Sequence, residues 1–521
     1  MTKQVKKPKL AMRVYEYLFG KPERSTRRFA AGRLTRANPD WGTTPTSINH
    51  ELRQDLPALR ARARQASHDN PYFKKFLSLV RENIVGAKGM QLQSRARLLT
   101  GELDVELNKQ VEEAWWQWTH RETCTASGRL DWLGVQRLAV TRLACDGEFL
   151  IQKVYPSTRV NPFGFALKFW DVNWLDETYN DTLPGGNRVR MSVEIDDMDR
   201  PVAYWLTTPA SDMMFAKRSE RTRTRIPADQ MIHGFLSYDD ETQVRGVTWF
   251  SASLLTARNL QSYCDGVINA ARLGAHQIGF LTQQTPDGEQ FTGAEDEAGN
   301  PIVPAIDVSP LSMNALPEGW DIKQFDPKHP TQNHAAFAKT VLMELSTGVD
   351  LPYFELSGDM EAVNYSSARV GLDNSREIWR GLQDFVSTAL CREVFHGWAK
   401  AAFLGGSLDI TAAQFAEIQN PVWRGRGWKY IDPVKDIGAD VTALENNLTT
   451  WTDVLGERGI DLVDYLERRQ SEIKLAKTYG IDLTIQPKAA APQPEPPPDD
   501  TADEPPPKRY LNGHDPDTLV N

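Results

Sequence analysis

Between Trp249 and His276 the chain runs without a proline, and Gly266 and Gly274 are its only glycines. Two sets of residues recur along it at spacings of three and four. Arg258, Ser262, Asp265, Asn269, Arg272 and His276 form a polar set, and Ala257, Leu260, Cys264, Val267 and Ala271 an apolar one built largely from small side chains. Such spacing puts each set on its own face of one helix about 40 Å long. Small apolar residues let a neighbouring helix approach closely. An ordinary amphipathic surface helix would carry this pattern, and so would a long helix packed side by side with copies of itself in a ring.

The flanking sequence sets this helix in a larger plan. Residues 277–330 break the periodicity with several prolines, Asp287-Gly288 and short apolar runs such as Pro301–Val308, which predicts a small β-rich excursion. A second helix is expected from Thr331 to Thr347, with Phe337, Val341 and Leu345 one turn apart and Gly348 stopping it. Residues 348–364 read as a loop. A third long helix is expected from near Ser366, taken as its cap, to about Phe403, and Gly405-Gly406 ends it. Trp423–Trp428 reads as a Gly/Arg-rich turn, followed by helices near 437–447, 449–457 and 461–477. Upstream, helices are expected over 51–66, 71–84, 107–122 and 131–145. From 148 to 236 short β-type runs follow: Phe149–Tyr155, Phe165–Trp170, Val189–Ile195 and Val202–Leu206, separated by Pro184-Gly185-Gly186 and Asp199-Arg200-Pro201. The fold class is therefore α+β with an antiparallel tendency. No repeat of 20–50 residues points to a solenoid.

A chain of 521 residues, 40% hydrophobic, can bury a large core in several domains. Its ends differ from the rest. Residues 1–36 hold eleven Lys or Arg against Glu16 and Glu23, and Pro487 to Pro516 contains ten prolines among acidic and small residues. Both are expected to be tails outside the core. The net charge of −9 excludes a general grip on nucleic acid. Cys124, Cys145, Cys264 and Cys391 are far apart, with no paired spacing for zinc. No run approaches the ~20 apolar residues of a membrane span, and no apolar segment follows the N-terminal lysines as in a signal peptide. A cytoplasm is therefore the expected place of synthesis.

Enzyme chemistry has no visible constellation. Gly86-Ala87-Lys88-Gly89 is too short for a phosphate loop and lacks its Ser/Thr, and there is no nucleophile elbow, dinucleotide fingerprint or HExxH pair. His329 and His334 straddle a proline and a helix start. Asp196, Asp197 and Asp199 read as a solvated turn. No catalytic residue, metal or cofactor is expected.

Four strings carry a resemblance: Leu59–Gly89, with Asn70-Pro71-Tyr72 and Asn83-Ile84-Val85-Gly86; Gln243–Tyr263, with Arg245-Gly246 and Trp249-Phe250; Leu356–Gly371 (LSGDMEAVNYSSARVG); and Arg424–Lys435 (RGRGWKYIDPVK). In these, and between about 35 and 480, the chain resembles the lambda-like family of phage portal proteins. The resemblance implies a ring of about twelve subunits at one capsid vertex, closed by a heterologous interface. DNA would enter and leave through it, driven by the terminase large subunit. Major capsid, scaffolding and head–tail connector proteins would be its other partners, in the host cytoplasm during assembly and then in the virion. Each subunit would have a basic arm (1–36), a wing (37–245), a first stem helix (246–276), a clip (277–330), a second stem helix (331–347), a tunnel loop (348–364), a helix returning to the wing (365–404), a crown (405–485) and an acidic tail (486–521). Asp350, Glu355, Asp359, Met360, Glu361 and Asn364 would then face the channel, with their carboxylates keeping phosphate contact brief. A head–tail adaptor is the alternative, and those are far shorter chains. A morphogenesis protease or the motor itself would need the motifs that are missing.

Overall fold

The computed structural model describes residues 45–98, 100–207, 223–237, 240–275, 279–283, 320–324, 334–361, 363–428, 433–458 and 460–482. The basic arm, the acidic tail, His276, His329 and most of the expected clip lie outside these residues.

The chain enters through α1 (Ile48–Asp69), where Leu52, Leu56, Arg60 and Ala63 form the buried face. Pro57 lies inside this helix and removes a backbone donor; packing of that face holds the helix across it. Asn70 then caps α2 (Pro71–Val80), accepting from the Tyr72 and Phe73 amides, with Pro71 at the first helical position. A π turn over Arg81–Val85 ends it. After β1 (Gln91–Gln93) come α3 (Val105–Trp118), a short α4 (Arg121–Cys124) and α5 (Trp132–Asp146).

The strands are all paired antiparallel. Strands β2 (Glu148–Val154), β3 (Ala166–Trp170) and β9 (Met231–Phe235) form one sheet, with β2 central. Strands β4 (Asp181–Thr182), β5 (Arg188–Arg190), β6 (Val193–Ile195), β7 (Pro201–Leu206) and β8 (Thr224–Pro227) form a meander in sequence order. The single run expected over Val189–Ile195 is two strands. Met191 and Ser192 take positive φ of 46° and 69° and reverse the chain, so that Arg190 pairs with Val193. The usual Asn-Gly signal for that turn is missing, which hid it.

Helix α6 (Leu254–Ala275) starts five residues after the expected Trp249. Beyond it β10 (Gly279–Gln283) and β11 (Trp320–Gln324) pair as a two-stranded ribbon, the described part of the expected β-rich excursion. Helix α7 (His334–Thr347) follows. The segment read as a loop contains a helix, α8 (Tyr353–Ser357), that buries Leu356. Helix α9 (Tyr365–Val386) is capped by Asn364, whose side chain accepts from the Ser367 amide at 2.8 Å, so the cap is not Ser366. A π turn at Ser387–Arg392 joins α9 to α10 (Glu393–Leu404), and the whole would span about 60 Å if straight. Then come α11 (Ala412–Glu417), β12 (Val422–Arg424), α12 (Pro433–Glu445), α13 (Trp451–Glu457) and α14 (Leu462–Thr478). The expected turn at Trp423 is in part strand: β12 pairs with β1 across more than 300 residues of sequence.

One core joins α2, α3, α5, β2 and α10. Its centre is aromatic, with Trp115 against Trp118, Trp132, Trp398 and Phe395 at ring distances of 4.7–5.7 Å. A smaller core of Leu150, Val172, Leu175, Val193, Tyr204 and Ile226 fills the space between the two larger sheets.

Candidate functional site: a helix pair and its anchor

The residues expected to work lie on α6 and in the segment from Gly348 to Asn364. What fixes them in place begins with Gly147, the left-handed C-cap of α5 at φ 87°. A Cβ there would fall 2.2 Å from the Val247 carbonyl carbon, and one on Gly246 would fall 2.1 Å from the Gly147 oxygen. The segment leading to α6 thus lies backbone on backbone against the end of α5, and the Trp249 amide donates to the Ala144 oxygen at 3.0 Å.

Beside this contact sits a buried ion cluster. Arg245, fully buried, donates from Nε to both Glu148 oxygens at 3.0 Å and from Nη2 to Oε1 at 2.6 Å. Its Nη1 donates to the Leu175 and Met191 carbonyls. Glu148 also accepts from Arg60 at 2.9 Å and from the Gly246 amide at 3.1 Å, and lies 2.9 Å from His233 Nε2. Burial opposes ionisation of Glu148; the charge of Arg245 and the His233 contact override it and hold the carboxyl well below the usual range. Arg64 adds a bidentate pair to buried Asp146 at 2.7 and 2.8 Å. Helix α1, strands β2 and β9 and the entry to α6 are thereby tied at one point.

This cluster was missed in the sequence. Two signals were present: Arg60 stands in the apolar register of Leu52, Leu56 and Ala63, and Glu148 stands directly before the apolar run Phe149-Leu150-Ile151.

From that anchor α6 projects beside α7. Arg258, Ser262, Asp265, Asn269 and Arg272 are all exposed. In the apolar set, Ala257 and Leu260 are buried, Cys264 and Val267 half-buried and Ala271 exposed, so cover fades along the helix. Leu255 and Ile268 are 72% and 48% exposed. Tyr263 meets His334 and Phe337 of α7 at ring distances of 5.4 and 4.8 Å. Ser253 Oγ donates to the Leu345 carbonyl, and a Cβ on Gly348 would strike that hydroxyl at 2.2 Å. Gly348 is where the base of the pair closes.

The acidic residues after Gly348 separate. Asp350, at φ 55°, and Glu361 are exposed, as are Met360 and Asn364. Asp359 accepts from the Glu361 amide at 3.0 Å, from Lys339 at 3.1 Å and from the Tyr353 hydroxyl at 3.0 Å, and these bonds lower its pKa. The segment has no cation of its own, but α7 supplies one. Glu355 turns inward: burial raises its pKa, and the Ser375 hydroxyl donates to it at 3.0 Å.

The other sequence candidates have structural positions. His334 packs on Tyr263. Asp196 accepts from the Met198 and Arg200 amides, and Asp199 pairs with Arg188 at 2.7 Å. Cys124, Cys145 and Cys391 are buried and Cys264 half-buried. Among the described residues no cluster of His, Cys, Asp and Glu could hold a metal, and no helix is long and apolar enough to cross a membrane.

Three of the strings that carried the resemblance meet in space. Arg60 of the first reaches Arg245 of the second through Glu148. Asn83, also of the first, accepts from Arg426 at 3.2 Å and Trp428 at 3.1 Å, both of the fourth. In the third, Gly371 faces the Phe354 ring.

Residues 34–383 match the family model described as phage portal protein, lambda family. The chain is 31% identical over 464 residues, 88% of each chain, to a probable portal protein of Halomonas phage phiHAP-1. It is 20% identical over 472 residues to portal protein B of Escherichia phage lambda, covering 85% of this chain and 88% of that one. A solved chain from the neck of a native gene transfer agent particle, computed with C12 symmetry, is similar at 13% identity and a TM-score of 0.43, over 78% of this chain and 94% of that one.

Proposed function

The chain belongs to the lambda family of phage portal proteins, and from this membership we propose that it works as one subunit of a closed ring of about twelve at a capsid vertex, with DNA passing through the centre. As a phage portal protein it is a structural component of the virion. In this reading the part before 246 is the wing, α6 and α7 are the stem, β10 and β11 belong to the clip, 348–364 is the tunnel segment, and the helices after 405 are the crown.

The observation that carries the reading is the fading cover along α6. Its apolar set is packed near the anchor and bare toward the far end, while the small side chains there suit close contact with the same helix of a neighbour. A ring of copies covers that face without any other partner. The exposed Asp350 and Glu361 would face phosphates and repel them, so that no lasting contact forms. The force for translocation belongs to an ATP-driven partner, the terminase large subunit, because no phosphate loop occurs in this sequence. Capsid, scaffolding and head–tail connector proteins would dock on the outer surfaces.

Sedimentation and negative-stain electron microscopy of concentrated protein test this. A ring about twelve times the mass of the chain is expected. A protein that stays monomeric at every concentration, with and without capsid partners, overturns it.

A further inference from the structure

Where the first and fourth strings meet, they form an open groove of about 860 Å³. Arg81, Lys88, Arg137, Arg426 and Arg458 line it, against the single carboxylate of Glu82. Arg458 pairs with Asp440 at 3.0 Å. Three of the others are held by neutral oxygens. Arg137 donates to the Gly86 carbonyl at 3.0 Å, Arg426 to the Glu82 carbonyl at 2.7 Å and to Asn83 Oδ1, and Arg81 to the Ser78 hydroxyl at 3.0 Å. These bonds orient the guanidinium groups without cancelling their charge. Lys88 and Arg137 are exposed beside them. Such a site is preorganised for an anion with several charges, and it stands out on a chain of net charge −9.

We propose that the groove binds the acidic proline-rich C-terminal segment of the same chain, centred on Glu495–Glu504. That stretch carries Glu495, Asp499, Asp500, Asp503 and Glu504 with no Lys or Arg among them. Proline-rich sequence favours an extended backbone and loses little entropy on lying in a groove. The tether is short. Ile460 lines the groove and α14 begins at Leu462. Helix α14 is about 25 Å long, whereas the stretch from Asp482 to Glu495 spans up to about 40 Å when extended. The segment therefore reaches back even if α14 runs straight away from the groove. Tethering presents it at an effective concentration on the order of millimolar, enough for a contact made mostly of screened charges. This inference is independent of the ring, since it concerns one chain.

The test is zero-length carbodiimide cross-linking of the dilute full-length protein, read by mass spectrometry, because Lys88 offers an amine at the groove. Cross-links from Lys88 to carboxylates in 495–504 are expected. Their yield should fall severalfold between about 0.05 and 0.5 M salt. It should also fall severalfold in Arg137→Glu/Arg426→Glu, which keeps Lys88. A second variant leaves the groove intact: Asp499→Asn/Asp500→Asn/Asp503→Asn should lose the cross-links without changing the melting temperature. Absence of any Lys88 link to this stretch, or links that ignore salt and both variants, overturns the proposal. So do links found only between isotopically distinct copies in a mixture. A short DNA duplex bound through Arg137 and Arg426, with an affinity that the neutralised tail leaves unchanged, would instead make this a nucleic-acid site.

Discussion

The anchor around Glu148 and the acidic segment after Gly348 both depend on carboxylates, and they use them in opposite ways. In the anchor Glu148 is buried and accepts from Arg245, Arg60 and the Gly246 amide, so removing Arg245 strands it in a low dielectric. In the segment Asp359 pairs at the surface, Asp350 and Glu361 face solvent, and only Glu355 is drawn inward. A buried network holds one geometry and tolerates no loss. An exposed one adds little to stability and leaves its field available to whatever passes.

The sharpest way to break this contrast is Arg245→Ala. It leaves Glu148 buried beside Arg60 and His233 with its main counter-charge gone. A loss of about 3–5 kcal/mol is expected in chemical denaturation. A loss below about 1 kcal/mol would mean that water or Arg60 takes over the role.

Gly246→Ala tests the backbone contact that seats the segment leading into α6. Its methyl would meet the Gly147 oxygen and the Phe235 side chain. Destabilisation of about 1–3 kcal/mol is expected, with faster amide exchange at the start of α6. Unchanged exchange there would show that the contact does not position the helix.

Acid separates individual carboxylates by sign. Glu194 of the meander accepts from Arg225, Asn187 and Trp205, and despite burial its carboxyl is held at about 2. A lowered folded pKa gives stability that is complete above the ordinary glutamate value of 4.5 and is lost as pH falls toward about 2. Glu148 has the same sign. Glu355 has the opposite one: burial raises its pKa, so its protonated form suits the folded state and its contribution is lost as pH rises through the raised value. Glu194→Gln should flatten the acid limb of a stability–pH profile between about 4.5 and 2. Glu355→Gln should stabilise slightly at neutral pH. An acid limb unchanged in Glu194→Gln would remove Glu194 from the account.

The smallest structural effect is expected from Asp359→Lys/Glu361→Lys. Both side chains are at or near the surface, so the melting temperature should move by less than about 2 °C and assembly should persist. Packaging or retention of full-length DNA should fall, more steeply at low salt, through new phosphate contacts. Normal packaging at all salt concentrations would show that the segment does not meet DNA.

Much of the secondary structure was legible in the residues. The periodicities of α1, α2, α5, α6, α7 and α9 were readable from apolar spacing and end signals, because a helix facing a core writes its period locally. The misreadings have separate causes. The hairpin at Met191-Ser192 uses positive φ without glycine, α8 is too short for a period to show, and β12 is a strand only because β1 lies beside it. The acidic residues between Gly348 and Asn364 were legible as a charged string, but their division into paired, inward and exposed was not. The ion pair of Asp359 needs Lys339, and the burial of Glu355 needs Ser375 on α9. The order of elements, the apolar faces and the family strings follow from the sequence by itself, since each rests on neighbours within a few turns. The joints between those strings, the anchor at Glu148, the basic groove and the uncovered end of α6 were decided by the tertiary structure alone. Burial and charge pairing depend on which distant segments meet, and no local spacing encodes that.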